Sequence, residues 1–243
     1  MGKIDELRTA EKIRRACRTC MHGKTCVKSK DGEMMIFHPS DIDGGKYDVP
    51  SYSHWTYWQG NLDSKVAIVA PYWGTNFQLV RQEGRNDSSN NTTRNLATLL
   101  EGKGIKITMP EIKQQANEVF FTNAMLCMVA EDPDNDHVPL PSEKELWKSI
   151  ENCNQHLARG LKAIRPPSII TLGKLAYKAV LLAFGRRSMC AEFSTLDEVV
   201  RKGPIKLLNG ITLYPQFIPG GRALQSRPLE QQVRDWETIP YLG

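Results

Sequence analysis

The chain has 243 residues, 40% hydrophobic and 24% charged, with a formal net charge of +5. That length supports one α/β domain with a sizeable core, and the composition excludes a chain too polar to fold. No apolar run reaches the roughly 18–20 residues of a membrane helix. The opening Met1-Gly2-Lys3-Ile4-Asp5-Glu6 has neither a signal-peptide core nor a Ser or Thr at position 6 for myristoylation. The expectation is a cytoplasmic monomer with no membrane partner, whose six cysteines are free or metal-bound rather than disulfide-paired.

Residues 4–17 read as a helix with Leu7, Ile13 and Ala16 inward. Residues 27–61 are irregular and rich in Tyr and Trp, so 1–61 is expected to form a cysteine-bearing helix and loop layer on a single domain spanning 1–243. The apolar run 65–70, ended by Pro71, suits a buried parallel strand. Thr92 or Thr93 is placed to cap a helix through Leu100, which Gly102 and Gly104 end. A second strand is expected at 119–122. Ser142 and Glu145 form a capping box, and Leu146, Ile150, Cys153, Leu157, Leu161 and Ile164 then recur at helical spacing until Pro166. Strands at 168–172 and 212–217 flank a helix at 174–184, and Pro228 opens the last helix. Strands alternating with helices predict a three-layer α/β/α sandwich with a central, mostly parallel four-stranded sheet. Its site is expected at the carboxyl ends of the strands, near 70–76, 122–127, 173 and 217–227.

Cys17-x2-Cys20 lies near the N-terminus, Cys127 follows the second strand, and Cys153 falls on the inward face of the long helix. Cys17, Cys20, Cys127 and Cys153 make a set of four, the number that iron–sulfur clusters and structural zinc both require. Cys26 is a fifth candidate and Cys190 stands apart. Spacing alone leaves iron–sulfur, zinc and plain core packing open. Basic residues cluster around the first cysteines, where Arg14, Arg15, Arg18, Lys24, Lys28 and Lys30 suit either a phosphate backbone or a solvated face.

Thr122-Asn123-Ala124-x-x-Cys127, the run 65–74, the segment from Cys153 through Ile164-Arg165-Pro166 to Thr171-Leu172-Gly173, and residues 217–236 together resemble the uracil-DNA glycosylase superfamily. The closest likeness is to its iron–sulfur branch. The resemblance implies DNA as partner, a [4Fe–4S] cluster on Cys17, Cys20, Cys127 and Cys153, and a nucleotide flipped into a pocket. It implies that Asn123 reads the base, its amide offering donors and an acceptor to a pyrimidine edge. Relatives carry an Asp or Glu in the first motif and a His in the second. Here Tyr72 stands in Pro71-Tyr72-Trp73-Gly74, and Ile218 in Phe217-Ile218-Pro219-Gly220-Gly221-Arg222.

Tyr72 is therefore read as a steric gate, Trp73 or Phe77 as stacking on the base, and Arg222, Gln225 and Arg227 as a DNA-facing set. Asp87 is the candidate replacement acid, with Glu83 and His137 behind it. The expected activity is a DNA glycosylase that hydrolyses the N-glycosidic bond of a modified or damaged pyrimidine and leaves an abasic site. A hypermodified phage base removed in antiviral defence suits the altered motifs. The alternatives are an inactive DNA binder or lesion sensor of the same fold, and an unrelated α/β protein with structural zinc.

Overall fold

The computed structural model describes residues 2–20, 36–46, 61–83, 89–107, 118–129 and 141–242. Along the chain run α1 (Lys3–Arg15), β1 (Ile36–Phe37), β2 (Val66–Tyr72), α2 (Asn76–Arg81), α3 (Asn91–Glu101), β3 (Val119–Met125) and β4 (Met128–Val129). They are followed by α4 (Glu143–Ile164), β5 (Ser168–Leu172), α5 (Lys174–Ala183), α6 (Leu196–Lys202), β6 (Ile205–Lys206), β7 (Thr212–Gln216), α7 (Ala223–Ser226) and α8 (Leu229–Asp235).

The main sheet has the order β3-β2-β5-β7-β6. The first four strands are parallel, and β6 pairs antiparallel with β7. The sheet thus has five strands where the sequence predicted four. The fifth is two residues long with one of them exposed, too short to carry a period. A separate ribbon joins β1 to β4, with Ile36 opposite Val129.

Alternation along the strands divides the core. Ala67, Val69, Phe120, Ala124 and Ile169 face a cluster with α4 and α5 residues such as Ile150, Leu157 and Val180. Val66, Ile68, Phe121 and Ile170 face Leu96, Leu99, Leu100 and Trp236 on the other side. Helices therefore cover both faces of the parallel strands, as buried parallel sheets require.

Helix starts follow side-chain chemistry. Ser142 Oγ accepts from the Glu145 N–H, and Glu145 Oε2 accepts from the Ser142 N–H at 2.8 Å. α4 stops at Arg165, whose φ of 54° precedes Pro166, a residue that disfavours helical backbone before it. The cap of α3 is Asn90, not Thr92 or Thr93: its Oδ1 accepts from the Thr92 N–H at 2.8 Å. Asn is a stronger N-cap than Thr, which moves both threonines into the first turn. In α1, Leu7, Ala10 and Arg14 turn inward, while Ile13 is 39% exposed and Ala16 lies at the exposed cap. The buried stripe runs through positions 7, 10 and 14, so Leu7 faces inward as expected and Ile13 and Ala16 do not.

Candidate base-binding site

From β2 the chain moves outward to β3, then crosses back to β5 on the far side of β2. The loops after β2 and β5 therefore leave in opposite directions, opening a crevice at the carboxyl ends of these strands. A cavity of about 720 Å³ fills that crevice. Its walls come from the end of β2 and the turn after it, from β3, from the N-terminal ends of α3, α4 and α5, and from the loop after β7.

Asn123 lies within β3, opposite Ala70 of β2. It is 5% exposed and lines the cavity, and its Oδ1 has no hydrogen-bond partner among the described residues. β3 runs three residues beyond its predicted end at 122, so Asn123 does not cap a strand-end turn. Phe121 lines the same wall two residues earlier, as period-two geometry dictates.

Tyr72 closes β2 in register with Met125 and is among the residues lining the cavity. Trp73 lines the cavity as well and packs against Ile42, Leu79 and Met128. Gly74 has a φ of +151°, and a Cβ there would lie 2.3 Å from Gln78 Oε1. The turn thus needs glycine for Gln78 to fold back and accept from the Thr75 N–H at 3.3 Å.

The loop after β7 is tied down at several points. Asn95 Nδ2 donates to the Pro219 carbonyl at 2.9 Å, and buried Gln232 donates to the Ile218 carbonyl at 3.2 Å. A Cβ on Gly220 would lie 1.8 Å from Thr92 Oγ1, so this glycine permits the close approach of the loop to α3. Ile218 and Arg222 both line the cavity, and Arg222 is exposed.

The remaining predicted residues are not among those lining the cavity. Phe77 is 38% exposed on α2, and Gln225 is exposed on α7. Arg227, expected in the DNA-facing set, is held by contacts within the fold. Its guanidinium pairs with both oxygens of Asp235, meets Asp197 Oδ1 at 3.1 Å, and stacks over Phe217 at 5.2 Å. The hydrogen bond with Asp235 raises its pKa most, burial opposes it, and the negative charges of Asp235 and Asp197 add to the rise. Glu83 is exposed just beyond α2 and does not line the cavity. Asp87, His137 and Cys26 lie outside the described residues.

Sequence reasoning missed Glu143 and Lys174. They begin α4 and α5, both line the cavity, and Glu143 Oε1 lies 3.9 Å from Lys174 Nζ. Glu143 is the one carboxylate among the described lining residues. Glu143 could be read from sequence only as the first residue of a helix, where an acid is ordinary.

On the other side of β3, Cys17, Cys20, Cys127 and Cys153 line one closed gap of about 10 Å³, with His38 and Asn152. Interaction with the Cys153 side chain, then burial, pushes the Cys127 thiol well up, while the same interaction pulls Cys153 down. Cys17 Sγ lies 3.3 Å from Thr19 Oγ1, and Asn152 Nδ2 donates to Cys20 Sγ at 3.6 Å. The guanidinium of buried Arg14 acts on both deep thiols in the lowering direction, as the smallest of the effects on each. Four thiols from three chain segments match, in kind and number, what a cluster requires. As the side chains stand, no three His, Cys, Asp or Glu among the described residues are grouped to hold a metal ion. Cys190 is half-buried elsewhere, with Sγ 3.6 Å from the Lys178 carbonyl.

A parallel α/β sheet with an amide-bearing cavity at its switch point defines a ligand-binding protein of the open-sheet class. The family model described as the Uracil DNA glycosylase superfamily matches residues 80–233, more than half of the chain. The chain belongs to the uracil-DNA glycosylase superfamily. It is similar to the Type-4 uracil-DNA glycosylase of Archaeoglobus fulgidus, with 31% identity over 101 residues, 42% of this chain and 43% of that protein. It is also similar to the Type-5 uracil-DNA glycosylase of Pyrobaculum aerophilum, with 26% identity over 182 residues and 69% of each chain. The first match thus spans less than half of the relative's length. Among the described residues no helix is long and apolar enough to cross a membrane.

Proposed function

We propose that residues 1–243 act as one DNA glycosylase unit. It takes a flipped-out modified or damaged pyrimidine into the cavity, hydrolyses its N-glycosidic bond and leaves an abasic site. The observation that carries this reading is Asn123, a buried amide whose Oδ1 has no protein partner, lining a cavity at the switch point. A buried acceptor left unpaired costs roughly 1–3 kcal/mol, and a bound base with an N–H at that position would recover it. The names of the two relatives support DNA as partner. Ile218 in place of a histidine and the roomy cavity favour a pyrimidine larger than uracil, such as a hypermodified phage base removed in antiviral defence. Action as a cytoplasmic monomer completes the proposal.

We also propose that Cys17, Cys20, Cys127 and Cys153 hold a [4Fe–4S] cluster. Such a group would serve as a structural tie among the end of α1, the β3–β4 turn and α4. Support comes from the shared gap and from the buried cation beside it. Cys127→Ser should abolish the absorbance near 400 nm that anaerobically purified protein is expected to show. Colourless protein with stoichiometric zinc would replace iron with zinc.

Base release tests the activity. Purified protein is incubated with DNAs carrying uracil, ordinary bases, and hydroxymethylated or glucosylated cytosine. Free base is read by mass spectrometry and abasic sites by alkaline cleavage. Release of one modified base is expected. Tight DNA binding without any release would favour the inactive binder, for which Tyr72 and Ile218 at the two motif positions already speak.

A further inference from the structure

Breaking a glycosidic bond leaves positive charge on the sugar, and Tyr72 offers none of the carboxylate that would balance it. We infer that Glu143 is the catalytic carboxylate of this cavity and that Lys174 is the positioning residue holding it until a sugar cation develops. The inference rests on the glycosylase reading above and assigns it a residue.

Three observations converge on Glu143. It is the one carboxylate among the described residues lining the cavity that also holds the unpaired amide of Asn123. The cap of α4 is already made by Ser142 and Glu145, which leaves Glu143 without a capping role. Its side chain is 61% exposed, open to an incoming nucleotide, while Lys174 is 30% exposed and anchored by donating to the Ser194 carbonyl at 2.6 Å. At 3.9 Å the pair is loose, and such exposed pairs contribute little to folding. A carboxylate so held can exchange its ammonium partner for a cationic sugar at little cost.

The chemistry balances with water alone. The bond from C1′ to the base nitrogen breaks, and both electrons leave with the base. Water adds through its oxygen to C1′ and gives one proton to the Glu143 carboxylate, which returns it to solvent. The departing base anion takes one proton from solvent. The net change is addition of water across the bond.

The test needs no knowledge of the base. Binding of DNA carrying a cationic pyrrolidine abasic analogue is compared with binding of the neutral tetrahydrofuran analogue by fluorescence anisotropy. Wild type should prefer the cationic analogue by about tenfold, the size expected for one partly exposed charge contact. Glu143→Gln should remove that preference while leaving affinity for the neutral analogue within about twofold. Lys174→Met should enlarge the preference by freeing the carboxylate. Circular dichroism checks that both variants are folded. Equal binding of the two analogues by wild type, or a preference that survives Glu143→Gln, overturns the role of Glu143. An unchanged preference in Lys174→Met overturns the role of Lys174. Failure of wild type to bind either analogue better than unmodified DNA overturns the glycosylase reading itself, and this inference with it.

Discussion

Ile218 packs directly on Gly173: its Cδ1 and Cγ1 each lie 3.1 Å from the point a Cβ on Gly173 would occupy. Gly173 has a φ of +89° and donates its N–H to the Gln216 carbonyl at 2.7 Å. Gly173→Ala therefore adds both backbone strain and a tight contact. A loss of about 1–3 kcal/mol is expected from the urea midpoint. Pairing it with Ile218→Ala should recover the steric part only, leaving the cost of the left-handed backbone.

Asn123→Ala should separate function from stability. The change removes a buried oxygen that has no partner among the described residues, so relief of that unpaired acceptor should offset the packing lost and stability to thermal unfolding should not fall. Base release under single-turnover conditions should fall by at least about tenfold, the equivalent of one lost hydrogen bond of about 1.4 kcal/mol.

Arg222 and Arg227 should behave oppositely although they flank the same short helix, α7. Arg222→Ala removes an exposed cation at the cavity rim. It should weaken DNA binding and lower the slope of log affinity against log salt by about one, with stability unchanged. Arg227→Ala strands Asp235, whose side chain is 10% exposed. It should cost about 1–3 kcal/mol of stability and leave that salt slope as it was.

His156 predicts a pH dependence. Burial, reinforced by the positive charges of Arg159, Arg14 and His38, lowers its pKa from 6.5 to about 4. Neither ring nitrogen has a hydrogen-bond partner among the described residues. The unfolded chain therefore binds a proton in this range that the folded chain does not. Stability falls as pH drops from about 6.5 to about 4 and this contribution then levels off, with a total of about 3 kcal/mol. In His156→Leu that part of the slope should vanish from chemical denaturation curves measured across the same window.

Much of the sheet could be read from the sequence because its strands are apolar runs closed by Pro or Gly. Pro71 and Gly173 mark the carboxyl ends where the cavity opens. Even Pro71 was absorbed into β2, which runs on to Tyr72. Asn123 was legible through its motif, since both neighbours in sequence belong to a buried strand. Glu143 and Lys174 were not, because only the packing of α4 beside α5 brings two distant helix starts to one cavity. Arg227 was misread for the same reason: its partner Asp197 comes from α6, thirty residues upstream.

Tyr72 adds one consequence. Its backbone lies in the β2–β3 ladder opposite Met125, so it lines the cavity from a strand rather than from a loop. If Tyr72 gates the base as proposed, its position is set by the same backbone hydrogen bonds that build the sheet, and any change that shifts the β2–β3 register moves the gate with it.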